Sequence, residues 1–306
     1  MFARLLAQSG LSLDRLRALV EVGACGSIVR AAEGDPTRQS QYSRQLKELE
    51  DFFQTALVER HGKHVRLTAQ GRELARISRF FLLGISNFQR GCLAEGQVYR
   101  IGASATFNHA FLLKVLAATG FTPSGIRFQV ETASNDDIER RLHELNLDFG
   151  IVTRESLSRP LQTAELGSCE LRLWVPRGLC RSERQARRAF KERKLPLALA
   201  LNELPPAAVE FLRENEPMLR CESFVQAQLA LSEDGMAALL PTFLLPAGRS
   251  GQFMELRLPD LKSCQWSYHL AWNPRLLRLN PHAARRRDGL IAGLAAILKK
   301  ARTSLS

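Results

Sequence analysis

Residues 26–50 read GSIVRAAEGDPTRQSQYSRQLKELE, and two helical patterns meet there across Gly34, Asp35 and Pro36. Ser27 is placed to cap a short helix whose Ile28, Ala31 and Ala32 point inward, the alanines being small enough to let another helix approach. Gly34, Asp35 and Pro36 stop it. A further helix is predicted from about Thr37, with Tyr42, Leu46, Leu49 and Phe53 on one face at i, i+4, i+7 and i+11. Its other face carries Arg38, Gln39, Ser40, Ser43, Arg44 and Lys47. Upstream, Leu13, Leu16, Leu19 and Val20 predict a first helix. A short helix, a tight turn and a second helix rich in amide, hydroxyl and guanidinium groups near its start suit a major groove. Glutamine matches an adenine edge, and arginine a guanine or a phosphate. Plain solvation explains such a polar face equally well.

Downstream, ALVERHGKHVRLT places Gly62 and Lys63 between two short extended pieces, flanked by Arg60, His64 and Arg66, and predicts a β-hairpin wing. Thr68 then caps a helix running without proline to about Gly91. Its apolar stripe of Leu74, Ile77, Phe81, Ile85 and Phe88 suits pairing with a second copy of the chain, or packing onto the segment that follows.

From Gln97 the pattern alternates between strands and helices: VYRIGAS, a helix through Phe111 to Ala118, RFQVETA, a helix from about Asn135 to Leu145, and LDFGIVT. That alternation predicts a parallel sheet covered on both faces. Further α/β units follow around LRLWVP, LPLALAL, the helix from Glu222 to Leu231 and MAALLP, and the chain closes with SYHLAW and a helix from about Pro281 to Lys300.

The 306 residues suffice for two or three domains, and 45% apolar with 24% charged residues excludes a fibrous or wholly disordered chain. With 43 Lys and Arg against 31 Asp and Glu, the net charge of +12 favours an anionic partner, nucleic acid foremost. The basic runs RRAFKERK at 187–194 and ARRRD at 284–288 read as solvated helix faces. No stretch approaches the ~20 apolar residues of a membrane span, and no secretory leader is expected at MFARLLAQSG. Six cysteines, at 25, 92, 169, 180, 221 and 264, form no CxxC pair. They are expected as buried, reduced thiols, with a redox pair of Cys169 and Cys180 as the alternative. HExxH, GxSxG, a Walker loop and a GxGxxG after a strand are all missing, so neither catalysis nor a cofactor or metal is expected.

GSIVRAAE at 26–33, SRQLKELE at 43–50, ALVER at 56–60 and LTAQG at 67–71 closely resemble the N-terminal domain of LysR-type bacterial transcriptional regulators. RIG at 100–102, LHELNLDFGIV at 142–152 and EDGMAALLP at 233–241 resemble that family's effector-binding domain. The resemblance implies an N-terminal all-α winged helix-turn-helix (1–67), a long linker and dimerisation helix (68–91), and a C-terminal α/β domain like periplasmic binding proteins (97–306). Two subdomains, 97–161 with 268–306 and 162–267, would flank a ligand cleft, the chain crossing between them twice.

It further implies a cytoplasmic, nucleoid-associated, sequence-specific regulator of transcription acting as a homodimer or homotetramer. Its partners would be double-stranded operator DNA, a small-molecule effector and, for an activator, RNA polymerase. The rival reading is a DNA-binding protein with no effector response. Gln39, Ser40, Ser43 and Arg44 map onto groove-facing positions, with Arg38 added beside them. Ser27 and Lys47 map near phosphates, and Lys63 and Arg66 onto the wing. Family members commonly carry Ser-Gln-Pro-Ala-Leu where this chain has Arg38, Gln39, Ser40, Gln41 and Tyr42, and often leucine at Asp35, so base preference does not carry over. Thr106, Ser134 and Asn135 follow the first strands, where similar proteins hold an effector, although each also suits a helix N-cap. Asn202, after LALAL, is a weaker candidate on the second subdomain.

Overall fold

The Ser12 hydroxyl oxygen accepts from the Arg15 N–H at 3.3 Å and opens helix α1 (Leu13–Cys25). The computed structural model describes residues 10–61, 64–92, 98–118, 126–244, 251–258, 264 and 266–303. They fall into two compact units, 1–95 and 96–306.

In the first unit, α1 buries Leu16, Ala18, Leu19 and Val22. Leu13 and Val20, expected in the buried stripe, lie on its flank, and Leu13 is 51% exposed. Gly26, at a left-handed φ of 62°, ends α1 by donating to the Val22 carbonyl. Ser27 caps α2 (Ile28–Ala31). The Asp35 carboxylate accepts from the Thr37 N–H at 2.8 Å and opens α3 (Pro36–Phe53), with Pro36 where a missing N–H costs nothing. Gly34, Asp35 and Pro36 therefore stop one helix and start the next. Tyr42, Leu46 and Leu49 of α3 share one core with Leu16, Leu19 and Val22 of α1, each full burial contributing about 1.5–3 kcal/mol. The Glu50 carboxylate accepts from the Leu57 and Val58 N–H groups at 2.8 and 3.1 Å, tying α3 to the wing. The wing is an antiparallel hairpin of β1 (Val58–His61) and β2 (His64–Leu67), and its turn, with Lys63, lies outside the described residues. Thr68 opens α4 (Ala69–Cys92) by accepting from Gly71 N–H at 2.9 Å.

The second unit holds two five-stranded sheets. The chain runs β3 (Val98–Ala103), α5 (Ala105–Phe107), a π turn over Asn108–Leu112, α6 (Leu113–Ala118), β4 (Arg127–Thr132), α7 (Asn135–His143) and β5 (Phe149–Val152). There follow β6 (Gln162–Cys169), β7 (Leu171–Pro176), α8 (Glu183–Lys191), β8 (Leu197–Leu199), α9 (Pro206–Phe211), β9 (Leu219–Arg220) and α10 (Phe224–Ser232). The last elements are β10 (Ala237–Pro241), β11 (Phe253–Leu256), β12 (Trp266–Trp272), α11 (Pro274–Leu279) and α12 (Pro281–Thr303). The first sheet is ordered β4-β3-β5-β12-β6 and the second β11-β7-β10-β8-β9.

Two expectations change here. The sheets are mixed, not parallel: β3 runs parallel to β4 and β5, and β8 to β9 and β10, but β12 is antiparallel to β5 and β6, and β7 to β10 and β11. A strand that carries the chain into or out of a lobe has no helix to return it in the same direction, so it pairs antiparallel. Secondly, the subdomain boundaries move: Gln162–Cys169 pairs with β12 along its length, so the first crossing comes at Glu170, and the return precedes Trp266. The helical run through Phe111 starts at Ala105, where the Ser104 hydroxyl caps it by accepting from Phe107 N–H at 3.3 Å. Cys169 and Cys180 are buried free thiols, and burial pushes both above the usual thiol range, which disfavours the reactive thiolate.

At Gly71 a side chain has no room, since a methyl group there would lie 2.0 Å from the Leu57 carbonyl oxygen. Gly71→Ala is expected to destabilise the first unit by about 1–3 kcal/mol, as backbone must move to admit it. Urea unfolding followed by far-ultraviolet circular dichroism checks this; an unchanged midpoint would show that Gly71 does not press on the Leu57 carbonyl as described.

Candidate nucleic-acid interface and effector cleft

Successive helical residues are separated by about 100°, so the burial of Tyr42, Leu46 and Leu49 decides where every other side chain of α3 points. Ser40, Arg44 and Lys47 lie opposite that stripe and are exposed, while Gln39 and Ser43 flank it and are half-buried. The Arg44 guanidinium has 75% of its side chain exposed and stands 3.7 Å from Glu48, a loose pair that a phosphate or base edge can displace. Arg38 differs. It lies one turn before Tyr42 on the same side, and its guanidinium pairs with Glu33 at 3.0 Å. That pair holds the Arg38 guanidinium on the Tyr42 side of α3, away from Ser40 and Arg44. Ser27, expected near phosphates, is only 7% exposed, and its hydroxyl oxygen accepts from the Arg30 N–H at 3.4 Å. A group so enclosed and already engaged serves the fold of the turn. Arg66 is exposed on the wing, opposite Glu59 across the hairpin. A hydrogen bond to Glu21 and burial raise the Tyr42 phenol above the usual tyrosine range, so it anchors α3 as a neutral donor.

In the second unit, parallel strands of both sheets end at one cleft of about 350 Å³, within the range of small-molecule sites. Ser104 follows β3, Thr132 ends β4 with Ala133 to Asn135 after it, and Thr153 follows β5. From the second sheet, Asn202 to Leu204 follow β8, and Glu222 and Ser223 follow β9. Phe107, Ile151 and Tyr268 add apolar lining. Complete burial, with Cys169 and Glu203 nearby, holds the Tyr268 phenol well above its usual range and neutral. Ser134 caps α7, accepting from Asp137 N–H at 3.3 Å. The Asn135 carboxamide donates to the Thr153 hydroxyl oxygen at 2.8 Å and accepts from the Thr153 N–H at 3.2 Å, locking the start of α7 to the end of β5.

Of the four effector residues expected from sequence, Ser134, Asn135 and Asn202 line this cleft and Thr106 does not. Thr106 is fully buried, and its amide and hydroxyl both bind the Glu203 carboxylate. It points between the lobes because Ser104, two residues earlier, takes the position after the strand. Glu203, Glu222 and Gln226 escaped the sequence reading. Glu203 sits in a one-turn helix after a three-residue strand, too short for periodicity to register; Glu222 and Gln226 flank Ser223, an N-cap recognisable only once α10 is bounded.

The model for bacterial regulatory helix-turn-helix proteins of the LysR family matches residues 13–72, and the model for the LysR substrate binding domain matches residues 94–287. The chain belongs to the LysR family. The HTH-type transcriptional regulator HdfR of Yersinia pestis (strain Pestoides F) is 28% identical over 172 residues, 54% of this chain and 57% of the relative. The match thus spans little more than half the length of such relatives. Among solved structures, a full-length OxyR variant from Pseudomonas aeruginosa is similar with a TM-score of 0.60 at 17% identity, covering 94% of this chain and 97% of that one. ArgP from Mycobacterium tuberculosis gives 0.63 at 20% identity, covering 92% and 96%. Full-length CbnR, solved with its target DNA, gives 0.51 at 15% identity, covering 90% and 100%. These likenesses show a shared fold.

Thr106→Val keeps the shape of the side chain and removes the hydroxyl held by Glu203. It is expected to cost about 1.5–3 kcal/mol, the range for a hydrogen bond to a charged group. Ser134→Ala, which removes a rim cap, is expected to cost about 1 kcal/mol. Thermal unfolding of both variants checks the order; equal losses would mean that Thr106 and Glu203 do not hold the lobes.

Proposed function

We propose that the chain is a sequence-specific regulator of transcription, in which α3 reads operator DNA and the cleft of the second unit holds a small-molecule effector. The observation that carries this is the outward face of α3, where Ser40, Arg44 and Lys47 stand exposed opposite a fully buried stripe, flanked by Gln39 and Ser43. Residues 1–67 form the DNA-reading part in this proposal, with Arg66 and Lys63 of the wing against the backbone, 68–91 the pairing helix, and 97–306 the effector-binding part. The net charge of +12 supplies long-range attraction to the duplex. Such a regulator works in the cytoplasm, on the nucleoid, and as an activator it would also touch RNA polymerase.

Self-association is part of the same proposal. Ile77, Phe81, Ile85 and Phe88 of α4 form one stripe, exposed by 51%, 50%, 41% and 74%, whereas Leu74 packs onto the core of the first unit. Large apolar side chains repeating along one helix face need a cover, and a second α4 fits the repeat. Two copies would present two recognition helices to two half-sites, as a homodimer or as half of a homotetramer.

Footprinting on the organism's own promoter DNA is expected to show one discrete, partly palindromic protected region. Arg44→Ala should weaken that protection by about 1–3 kcal/mol, the cost of a lost base contact, while substitutions within 187–194 leave it nearly unchanged. Uniform coating of any DNA, with no penalty at Arg44, would favour charge-only binding. Phe81→Glu is expected to give a smaller species by light scattering and to lose the footprint; an unchanged mass would remove α4 as the pairing element.

A further inference from the structure

Helix starts carry N–H groups without backbone partners and favour an anion. Two such starts, from opposite lobes of the second unit, face a single carboxylate. Glu203 accepts from the Thr106 N–H at 3.3 Å and from the Phe224 N–H at 2.8 Å, and the Thr106 hydroxyl donates to it as well. The third start on the cleft, that of α7, carries Asp136 and Asp137 in its first turn. At the first two starts Glu203 already occupies the place that the carboxylate of a bound ligand would take; at the third, Ser134 takes the Asp137 N–H, and Asp136 and Asp137 pair with Arg154 and Arg140 at 2.8 and 2.6 Å.

What remains facing the cleft is hydroxyl, carboxamide and one exposed carboxylate, Glu222. Among the described lining residues there is no Lys, Arg or His, although the chain carries 43 Lys and Arg against 31 Asp and Glu. An anion entering here would meet Glu222 with no cation among the described lining residues to offset it, whereas an ammonium or guanidinium group would be attracted by it. Apolar surface from Phe107, Ile151 and Tyr268 suits a short carbon chain between polar ends.

We propose that Glu203 is a built-in ligand of the two facing helix starts, and that the cleft consequently takes a small organic cation, an amine or guanidinium, oriented by Glu222. The proposal rests on reading this cleft as the effector site. Glu203 ties the lobes together from within, and the effector adds charge pairing at the rim.

The test is thermal unfolding of the full chain with three four-carbon probes of matched length, butane-1,4-diamine, butane-1,4-diol and succinate, at equal ionic strength. The diamine is expected to raise the melting temperature of the wild type, succinate to leave it unchanged, and Glu222→Gln to abolish the diamine's effect. In Glu203→Ala the two helix starts lose their anion, so acetate is expected to raise its melting temperature while leaving the wild type unaffected. If Glu203→Ala does not fold, the wild-type series and Glu222→Gln decide. Stabilisation of the wild type by succinate, or indifference of Glu203→Ala to acetate, overturns the charge assignment and leaves the cleft as an effector site. Silence of all three probes on the wild type overturns both.

Discussion

The first unit depends on the packing of Tyr42, Leu46 and Leu49 of α3 against Leu16, Leu19 and Val22 of α1. A helix of 18 residues that buries one narrow stripe has no freedom left about its own axis. Once that stripe is fixed, Ser40, Arg44 and Lys47 must point outward, and Arg38 must turn back toward Glu33. The same packing sets the geometry of the turn. Ser27 and Asp35 each supply an oxygen to the helix start that follows, and Glu50 carries the constraint on to the wing. The outward face of α3 is thus what the packing leaves over: the polar groups that face outward are those the core cannot use.

The second unit follows a different rule. In an open sheet, neighbouring parallel strands deliver their carboxyl ends, and the starts of the helices that follow, to one edge. Two such sheets whose strand ends line one space create a polar cleft without any residue being placed for that purpose alone. Ser104, Ser134 and Ser223 are first of all helix caps. Glu203 is the exception, because its carboxylate serves helix starts in both lobes at once. That double service ties the two lobes to one carboxylate.

Much of this was legible in the sequence because the signals are local. Caps, a proline at a first helical position and an apolar stripe at helical spacing are written within a few residues of where they act, so α1, α2, α3, the wing and α4 fall where the pattern puts them. The burial of Ser27 and the pairing of Arg38 with Glu33 were not legible, since each depends on how the turn between α2 and α3 folds. In the second unit the alternation of strands and helices was plain. Strand direction was not, because β6 and β12 pair antiparallel across nearly 100 residues of intervening chain, and nothing in either segment encodes its neighbour. The cleft was half legible: Ser134 and Asn135 follow a recognisable strand, whereas Ser104, two residues before Thr106, takes the cap, and Thr106 turns to Glu203, 97 residues away.

The central claim is that α3 lies in the major groove with its unburied face against the base edges. The most direct measurement is a structure of the full chain bound to a DNA fragment that it protects. The account predicts Ser40 and Arg44 of α3 facing base edges in each half-site, with Gln39 and Ser43 alongside and Lys47 toward a phosphate. A complex in which α3 is turned from the duplex, with the DNA held by another surface of the chain, would contradict it.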